Sequence, residues 1–478
     1  MSTIRTPLPE IHSSLRRLSE QLVLLLIAVL LMQTWYIEGL VLSCRVTSGS
    51  MAETLLGLHR KVVCEDCGYR FPCGSDRRPP SERAVCPNCG YDHNKLEDLP
   101  DIPGDGLLIH KSLFRLRRPQ RWEVIAFGHP QWAAHTQIKR VVGLPGEKIE
   151  IRHGDVYIDG RIQRKDLFQQ RAMAIPVHDA SFQPKHGASP PPRWRKKSPD
   201  SPWGSAGGDF AHPETKHNKA IDWLEYRHWR RLPGLLRDLD ESAVREDWVP
   251  DLSGYNQDLP RLNEDVHPVT DLMLSFQLVE ASGDGRLAVR ASDGSEQFKV
   301  WIDRRGNRYE VRQNDQAVSH ASAVGKLPAG DDGLGIEISL FDQQFLLAFN
   351  GKVAACWQYE PAGPNRQPSS RPLAIGSQGI KARIRDVRVY RDVYYTRPVG
   401  VRARRGFDEP VQLGDDEYFV LGDNSPLSED SRTWPGRGTV PADLLVGKPL
   451  VVHFPVRRVE LGGWSFHIPD PARIRYIR

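Results

Sequence analysis

At 478 residues the chain is longer than one ordinary domain, so two or three domains are expected. Hydrophobic residues make up 39% and charged residues 26% of the chain, which is typical of folded domains. The net charge of +5 is small and basic residues alternate with acidic ones, so nucleic acid is not a predicted partner. Seven cysteines are too few for a disulfide scaffold.

The N-terminal region predicts a membrane anchor. Residues 1–18 form a polar tail, and residues 19–38 contain the most apolar segment of the chain. The uncharged run is close to the minimum length of a membrane-spanning helix, and Trp35 and Tyr36 suit an interfacial aromatic belt. A cleaved signal peptide would need a small-x-small site, which is missing; a buried core helix is the other alternative. We predict one membrane-spanning helix, membrane lipid as a partner and a cytoplasmic tail.

Two Cys-x-x-Cys pairs follow, within residues 63–95. Because two such pairs can supply a tetrahedral set of four thiolates, this spacing predicts a zinc-ribbon-like insert. Four cysteines leave no open position for water, so zinc is predicted to be structural, and no cofactor is predicted for catalysis. Disulfides are the alternative, and Cys73, a fifth cysteine in the same region, is either a further thiol or a disulfide partner. The predicted metal ligands are Cys64, Cys67, Cys86 and Cys89.

Short strands separated by Gly/Pro turns predict an all-β body after residue 103, with a hairpin turn at Asp159-Gly160. Residues 162–222 are predicted to be an irregular linker, because 186–208 is rich in Pro, Ser, Gly and basic residues. The basic cluster at 193–197 is interpreted as part of that solvated linker.

A second β region occupies residues 223–396. Strand-like segments recur at short intervals from residue 271, and Asn350-Gly351 predicts a tight hairpin. The strand pattern resembles a laminin-G-like, concanavalin-type jelly roll, so an inserted β-sandwich is predicted. Such folds bind carbohydrate or protein, and an inert spacer is the alternative; the sequence favours neither.

The first pattern returns from residue 414, so the fold class is mainly β with a discontinuous body made of residues 39–62, 103–161 and 397–478. This body carries Ser48-Gly49-Ser50. A serine hydroxyl needs a base, and lysine serves only when neutral, which requires its pKa to fall by about two units. Lys139 lies among apolar residues, and burial there would lower its pKa by disfavouring the ammonium form.

Three segments in this order resemble the type I signal peptidase family of membrane-bound serine proteases. They are Ser48-Gly-Ser-Met51, Ile138-Lys-Arg-Val-Val-Gly-Leu-Pro-Gly146, and Gly422-Asp-Asn424 running to Ser428-Glu-Asp-Ser-Arg432. The resemblance implies that Ser50 is the nucleophile and Lys139 the general base.

The resemblance also assigns supporting roles. Ser48 would assist the oxyanion hole together with the Ser50 amide, and Ser428 would hydrogen-bond Lys139 and orient it. Asp430 and Arg432 would brace their loop as an ion pair. One departure is Glu53, which stands where the family favours proline.

By the same resemblance, the predicted function is that of a serine endopeptidase that removes signal peptides from exported preproteins. It implies small residues at the −1 and −3 positions of the substrate. The predicted location is the inner membrane, with the catalytic body on the extracytoplasmic side. Two alternatives are a self-cleaving repressor-type Ser/Lys protease and a catalytically degenerate, membrane-tethered binding protein that uses the sandwich.

Overall fold

The computed structural model of the protein describes residues 10–32, 38–75, 82–132, 135–185, 190–215, 220–230, 245–257, 266–329, 333–361, 366–398, 405–454, 456–461, 464–469 and 474–477. The described part of the chain is mainly β, as predicted.

The helices are α1 (Glu10–Leu31), α2 (Glu38–Leu40), α3 (Leu113–Leu116) and α4 (Leu167–Met173). The strands of the first half are β1 (Val41–Arg45), β2 (His59–Val63), β3 (Arg70–Gly74), β4 (Arg83–Ala84), β5 (Asn94–Lys95), β6 (Gly106–His110), β7 (Val124–Gly128), β8 (Thr136–Gly143), β9 (Lys148–Arg152), β10 (Asp155–Ile158), β11 (Arg161–Ile162), β12 (Ile175–Asp179), β13 (Trp194–Lys196), β14 (Gly204–Ala206), β15 (Asp209–His212), β16 (Asp222–Tyr226), β17 (Trp229–Arg230) and β18 (Arg245–Glu246). The strands of the second half are β19 (Leu272–Ser282), β20 (Arg286–Ser292), β21 (Gln297–Asp303), β22 (Arg308–Gln313), β23 (Gln316–Ala317), β24 (Val324–Lys326), β25 (Leu334–Phe341), β26 (Gln344–Phe349), β27 (Lys352–Gln358), β28 (Leu373–Gln378), β29 (Lys381–Arg391), β30 (Val411–Gln412), β31 (Glu417–Leu421), β32 (Val440–Pro441), β33 (Leu445–Phe454), β34 (Val456–Leu461), β35 (Trp464–Pro469) and β36 (Arg475–Tyr476).

One sheet joins strands from the two ends of the chain. Its order is β1-β6-β33-β7-β8-β31-β32, and β36 pairs with β33. A smaller sheet, β11-β10-β9-β30, also contains strands from both sides of the central region. Asp159 and Gly160 both have positive φ angles and connect β10 to β11, which confirms the predicted hairpin.

The central region forms two antiparallel sheets that share a core. One sheet has the order β14-β15-β29-β19-β25-β26-β27, with β12 beside β29; the other has the order β13-β16-β28-β20-β21-β22-β23, with β24 beside β22. Both sheets contribute buried apolar side chains to one cluster, including Phe276, Val289 and Phe298. Asn350 and Gly351 have positive φ angles between β26 and β27, which confirms the second predicted hairpin.

A bulge keeps the apolar side chains of β29 facing the core. Ala382 and Ile384 are buried and alternate with exposed arginines. Asp386 has a φ of 54°, and the register with β19 shifts beside it. Because the extra residue reverses the alternation, Val387 and Val389 face the core instead of solvent.

The stretch predicted to be a linker, residues 162–222, is not irregular throughout. It contains α4, strands β12 to β15 and the first residue of β16, and β12 and β15 both pair with β29. These strands are short, and their partners lie far along the chain, so the local sequence pattern carries little sign of them. Arg193, assigned to a solvated cluster, is buried; its guanidinium lies 3.7 Å from the Trp229 ring centroid. Residues 186–189 lie outside the described residues.

A buried ionic cluster joins the sandwich to the body. Lys165 Nζ lies 2.7 Å from Asp342 Oδ1 and 2.9 Å from Asp392 Oδ2. The same ammonium lies 4.6 Å from the centroid of the Trp122 ring, which belongs to the body. Since these charges are buried and paired, the sandwich is fixed to the body through defined contacts.

Helix α1 carries a row of exposed apolar side chains, which include Leu22, Leu25 and Leu31. Within the described residues, no helix combines the length and the apolar character needed to cross a membrane. The predicted span, residues 19–38, includes residues 33–37, and these, with Trp35 and Tyr36, lie outside the described residues.

Candidate active site

Lys139 lies in the centre of strand β8, between β7 and β31. Its side chain is 3% exposed. Burial lowers the pKa of Lys139 to about 8, because desolvation disfavours the ammonium; the negative charge of Asp430 opposes this effect. A substantial fraction of this lysine is therefore neutral near physiological pH, as a general base must be.

Ser50 lies in a single 3-10 turn, Gly49–Met51, that follows β1. Its Oγ lies 2.6 Å from Lys139 Nζ, which is hydrogen-bonding distance. Met51 and Leu55 are buried in a cluster with the body strands and anchor this turn. Ser50 itself is half-buried.

Ser48 lies on the exposed side of the nucleophile turn. Its Oγ is 3.4 Å from Ser50 Oγ, so the two hydroxyls lie at the same opening. The structure thus brings three predicted residues together: Ser48, Ser50 and Lys139. An oxyanion role for Ser48 stays a prediction.

The Gly422-Asp423-Asn424 segment holds the same turn by hydrogen bonds to backbone carbonyls of the turn. Asn424 donates from Nδ2 to the Gly49 carbonyl at 2.9 Å and from its backbone N–H to the Ser50 carbonyl at 3.1 Å. A side-chain carbon at Gly422 would overlap the Ser50 carbonyl oxygen and the Ser428 hydroxyl. Only glycine therefore allows this segment to approach the nucleophile so closely.

Asp423 forms a buried ion pair with Arg140, the residue after the lysine. Arg140 Nε donates to Asp423 Oδ1 at 2.7 Å, and Thr54 hydroxyl donates to the other carboxylate oxygen. Arg140 Nη1 also donates to the Trp122 carbonyl at 2.6 Å. The pair, together with the Thr54 hydroxyl, ties strand β8 to the segment after Ser50, so Asp423 has a structural role here.

Asp430 and Arg432 form the second buried ion pair, and its role as a brace of their loop stays a prediction. Arg432 Nε lies 2.8 Å and Nη2 2.7 Å from the Asp430 carboxylate, and both side chains are fully buried. Burial raises the pKa of Asp430, but the charge and hydrogen bonds of Arg432 outweigh it, so the net shift is downward. Asp430 also accepts the Gly422 N–H at 3.0 Å, which fixes the glycine beside Ser50.

The hydrogen bond predicted from Ser428 to Lys139 is not formed. Ser428 Oγ is fully buried and makes no hydrogen bond with the part of the chain that the structure describes. It faces Gly422 instead. The lysine is oriented by Ser50 and by its buried strand position, so in this geometry Ser428 serves as a packing residue.

Two residues from outside the recognised motifs reach the site. Asn256 exchanges two hydrogen bonds of 2.9 Å with Asn424, and the Tyr255 ring packs against Gly49. Both belong to the segment before β19, in the inserted region. No local sequence pattern points to them, because their roles depend on contacts that span about 170 to 200 residues.

A serine hydroxyl in contact with a buried lysine amine is typical of a peptidase with a lysine base. The chain matches the family described as "Signal peptidase, peptidase S26" over residues 16–191 and 378–454, more than half of its length. It therefore belongs to this family, and the predicted resemblance is confirmed.

Individual relatives match over shorter stretches. A probable signal peptidase I-2 of Synechocystis is 38% identical over 64 residues, covering 12% of this chain and 29% of the relative. The signal peptidase I of Leptolyngbya laminosa is 34% identical over 80 residues, covering 15% of this chain and 39% of the relative. The chain thus spans less than half the length of these curated relatives.

Among solved structures, the carbohydrate binding module CBM66 from Bacillus subtilis is 8% identical to this chain, with a TM-score of 0.25. The match covers 41% of this chain and 95% of the module. The Caenorhabditis elegans galectin LEC-6 is 14% identical, covers 25% of this chain and 81% of its own, and has a TM-score of 0.19.

The four predicted metal ligands meet at one point outside the peptidase site. The Sγ atoms of Cys64, Cys67, Cys86 and Cys89 lie within 4.8 Å of one another, and all four residues are buried. The Cys64–Cys89 and Cys67–Cys86 Sγ distances are 3.5 and 3.8 Å. Four thiolates around zinc, each at about 2.3 Å, have edges of roughly 3.8 Å, so the set fits a tetrahedral zinc ion.

Each Cys-x-x-Cys pair forms the same loop. Gly68 N donates to the Cys64 carbonyl at 2.9 Å, and Gly90 N donates to the Cys86 carbonyl at 2.8 Å. Both glycines have positive φ angles, as these tight turns require. All seven cysteines lie in the described ranges and none forms a disulfide, so the fit favours a metal over the disulfide alternative; zinc itself stays a prediction.

We expect Gly422→Ala to reduce kcat/KM by about 10²-fold or more, because the added methyl would displace Ser50 from Lys139. Gly414→Ala is the matched control, since its nearest neighbour is the movable end of Glu417 at 3.2 Å. Steady-state peptidase assays on both variants check this. Equal activities would contradict the tight approach of Gly422 to Ser50.

We expect Asp430→Asn to destabilise the protein by about 3–5 kcal/mol, because it leaves the Arg432 charge buried without its partner. Asp408→Asn breaks an exposed pair with Arg397 and should cost less than about 1 kcal/mol. Denaturant unfolding measures both. A similar small change in the two variants would show that the buried pair is not a brace.

We expect one zinc per chain in the purified protein, and a chelator that removes it should lower the melting temperature. Cys86→Ser should abolish zinc binding, whereas Cys73→Ser should retain it, because Cys73 lies outside the four-thiol set. Metal analysis and thiol counting check this. Four oxidised cysteines with no metal would reject the zinc site.

Proposed function

We propose that the protein is a signal peptidase I-type serine endopeptidase that removes N-terminal signal peptides from exported preproteins. The observation that carries this proposal is the 2.6 Å contact between Ser50 Oγ and the buried amine of Lys139. The pKa of Lys139, lowered to about 8 by burial, supports its role as the base.

In the proposed mechanism, neutral Lys139 accepts the Ser50 hydroxyl proton as Oγ attacks the scissile carbonyl carbon. The resulting ammonium donates that proton to the leaving amine, and an ester forms on Ser50. Lys139, neutral again, then accepts a proton from the water that attacks the ester carbonyl carbon. It returns this proton to Ser50 Oγ as the ester C–O bond breaks, which releases the second product and restores the serine hydroxyl and the neutral lysine. One buried amine can serve both steps because its pKa lies close to the working pH.

Developing negative charge on the substrate carbonyl oxygen needs donors that are already in place. We infer that the Ser48 hydroxyl and the Ser50 amide supply them. Support comes from Ser48, whose exposed Oγ lies 3.4 Å from the nucleophile oxygen. A donor of this kind contributes about 3 kcal/mol to transition-state stabilisation in other serine hydrolases.

The substrate and the location follow from family membership. Small residues at −1 and −3 of the signal peptide are proposed on that basis. We also propose a single-pass anchor in the inner membrane that holds the catalytic body on the extracytoplasmic side. The exposed apolar side chains of α1, from Leu22 to Leu31, support contact with lipid, because such a row is costly in water.

The two insertions are proposed to serve the peptidase body. A structural zinc ion would be held by the four clustered thiols and would fix the fold of the β2–β5 region. A carbohydrate or protein ligand of the sandwich stays a prediction. Because Ser50 and Lys139 are both present and in contact, the catalytically degenerate alternative has no support from the site.

We expect Ser50→Ala and Lys139→Met to reduce cleavage of a detergent-solubilised preprotein by about 10³-fold or more. In the wild type, kcat/KM should rise with pH with a midpoint near 8, because only the neutral form of Lys139 accepts the serine proton. Gel-based initial rates from pH 6 to 10 measure both effects.

Lys148→Met provides the control, because Lys148 is an exposed lysine at the start of β9. It should retain both the wild-type rate and the pH midpoint. Processing that survives in folded Lys139→Met would sink the assignment of the base, and a wild type that cleaves no preprotein would sink the proposed function.

A further inference from the structure

The segment 251–257 of the inserted region lies against the nucleophile turn, the Gly49–Met51 turn that carries Ser50. Family similarity covers residues 16–191 and 378–454, so this segment lies outside it. Tyr255 is 1% exposed and Asn256 is 2% exposed, so both are buried in the contact.

Asn256 acts on the turn through one intermediate residue. Its side-chain amide and that of Asn424 donate to each other at 2.9 Å in both directions. The second Nδ2 hydrogen of Asn424 goes to the Gly49 carbonyl, while the Asn424 backbone holds the Ser50 carbonyl. Since the pair is buried and its donors are fixed in direction, Asn256 determines how the Asn424 amide faces the turn.

Tyr255 acts on the turn directly. Its ring occupies the space that a side chain at Gly49 would need, and it forms a small apolar cluster with Ala52 and Leu56. Its hydroxyl donates to the Leu58 carbonyl at 2.9 Å. The ring therefore covers the residue immediately before Ser50 and the residues that follow it.

The contacts of Glu53 explain why a carboxylate stands where the family favours proline. Burial raises the pKa of its carboxyl, while a hydrogen bond from the Ser253 side chain and another from the Tyr255 backbone lower it. The carboxyl thus contacts the inserted segment at the position where the family favours proline. On the other side, Gln257 exchanges hydrogen bonds with the Val85 backbone in the cysteine-containing region, which holds the segment from behind.

We propose that Tyr255 and Asn256, contributed by the insertion, are positioning residues that hold Ser50 in register with Lys139. The insertion is then an integral part of the peptidase site. This inference rests on the proposed function, since it concerns the same serine.

The first test separates positioning from general stability. We expect Asn256→Ala and Tyr255→Ala to reduce kcat by about tenfold or more with little change in KM, because the substrate site keeps its lining while Ser50 shifts. Tyr255→Phe, which keeps the ring, should stay within about threefold of the wild type. Val289→Ala is the control: it creates a cavity in the distant sandwich core and should leave kcat unchanged.

All variants are assayed below their melting temperatures, as full chains. A kcat within twofold of the wild type for folded Asn256→Ala and Tyr255→Ala would overturn the proposal. An equal loss in Val289→Ala would also overturn it, because the effect would then be one of stability. If Asn256→Ala does not fold, Asn256→Asp replaces it, since the new carboxylate can accept from Asn424 but cannot donate.

A second readout does not depend on peptidase activity. In Ser50→Cys, the alkylation rate of the thiol at position 50 is followed against pH by peptide mapping, with and without Asn256→Ala. We expect the second substitution to shift the midpoint upward, because the thiolate loses the nearby lysine charge. Identical midpoints would overturn the positioning role, whereas failure of the wild type to cleave preproteins would affect only the proposed function.

Discussion

The desolvation of one lysine is the constraint on which the rest of this structure depends. An amine that must be neutral near physiological pH has to be kept from water, and Lys139 is kept from it by strands on both sides. Burying it costs stability, since the protein disfavours the protonated form. The neighbouring charges are therefore matched in pairs. Arg140 pairs with Asp423 and Arg432 pairs with Asp430, and the positive charge of Arg432 partly offsets the effect of Asp430 on the pKa of the lysine.

The same pairs solve a mechanical problem. Ser50 lies in a turn of three residues, which has few hydrogen bonds of its own. It is held from three directions: by buried Met51 and Leu55 below, by the Gly422–Asn424 segment through carbonyl contacts, and by the inserted segment at its side. Precision at Ser50 thus comes from elements that are distant in sequence, and none of them needs to touch the substrate.

Ser50 and Lys139 were singled out because three segments in a fixed order resemble the signal peptidase family; the small residues around Ser50 and the apolar neighbours of Lys139 fit those roles but are weak signals alone. The Asn350-Gly351 and Asp159-Gly160 hairpins were predictable from the local sequence, since positive φ angles favour these residues. The clustering of the four cysteines was predicted from their spacing in the sequence alone.

Residues 162–222 were predicted to be a linker, and strands such as β12 and β15 within them were missed because they pair with β29, more than 150 residues later. The hydrogen bond predicted from Ser428 to Lys139 was wrong, because the direction of one buried hydroxyl depends on the close approach of Gly422. Arg193 shows the same limit: a basic residue in a proline-rich stretch is buried because Trp229 and Asn88 lie opposite it.

The ionic cluster around Lys165 has a consequence for how this enzyme could be shortened. The Lys165 ammonium pairs with Asp342 and Asp392 of the sandwich and lies over the Trp122 ring. The Trp122 carbonyl in turn accepts a hydrogen bond from Arg140. Cutting out the sandwich and rejoining the body would leave a buried cation without its counter-charges, one contact away from the strand that bears Lys139. A shortened protein without the sandwich would need an apolar residue in place of Lys165, so that this position can be buried without an unpaired charge.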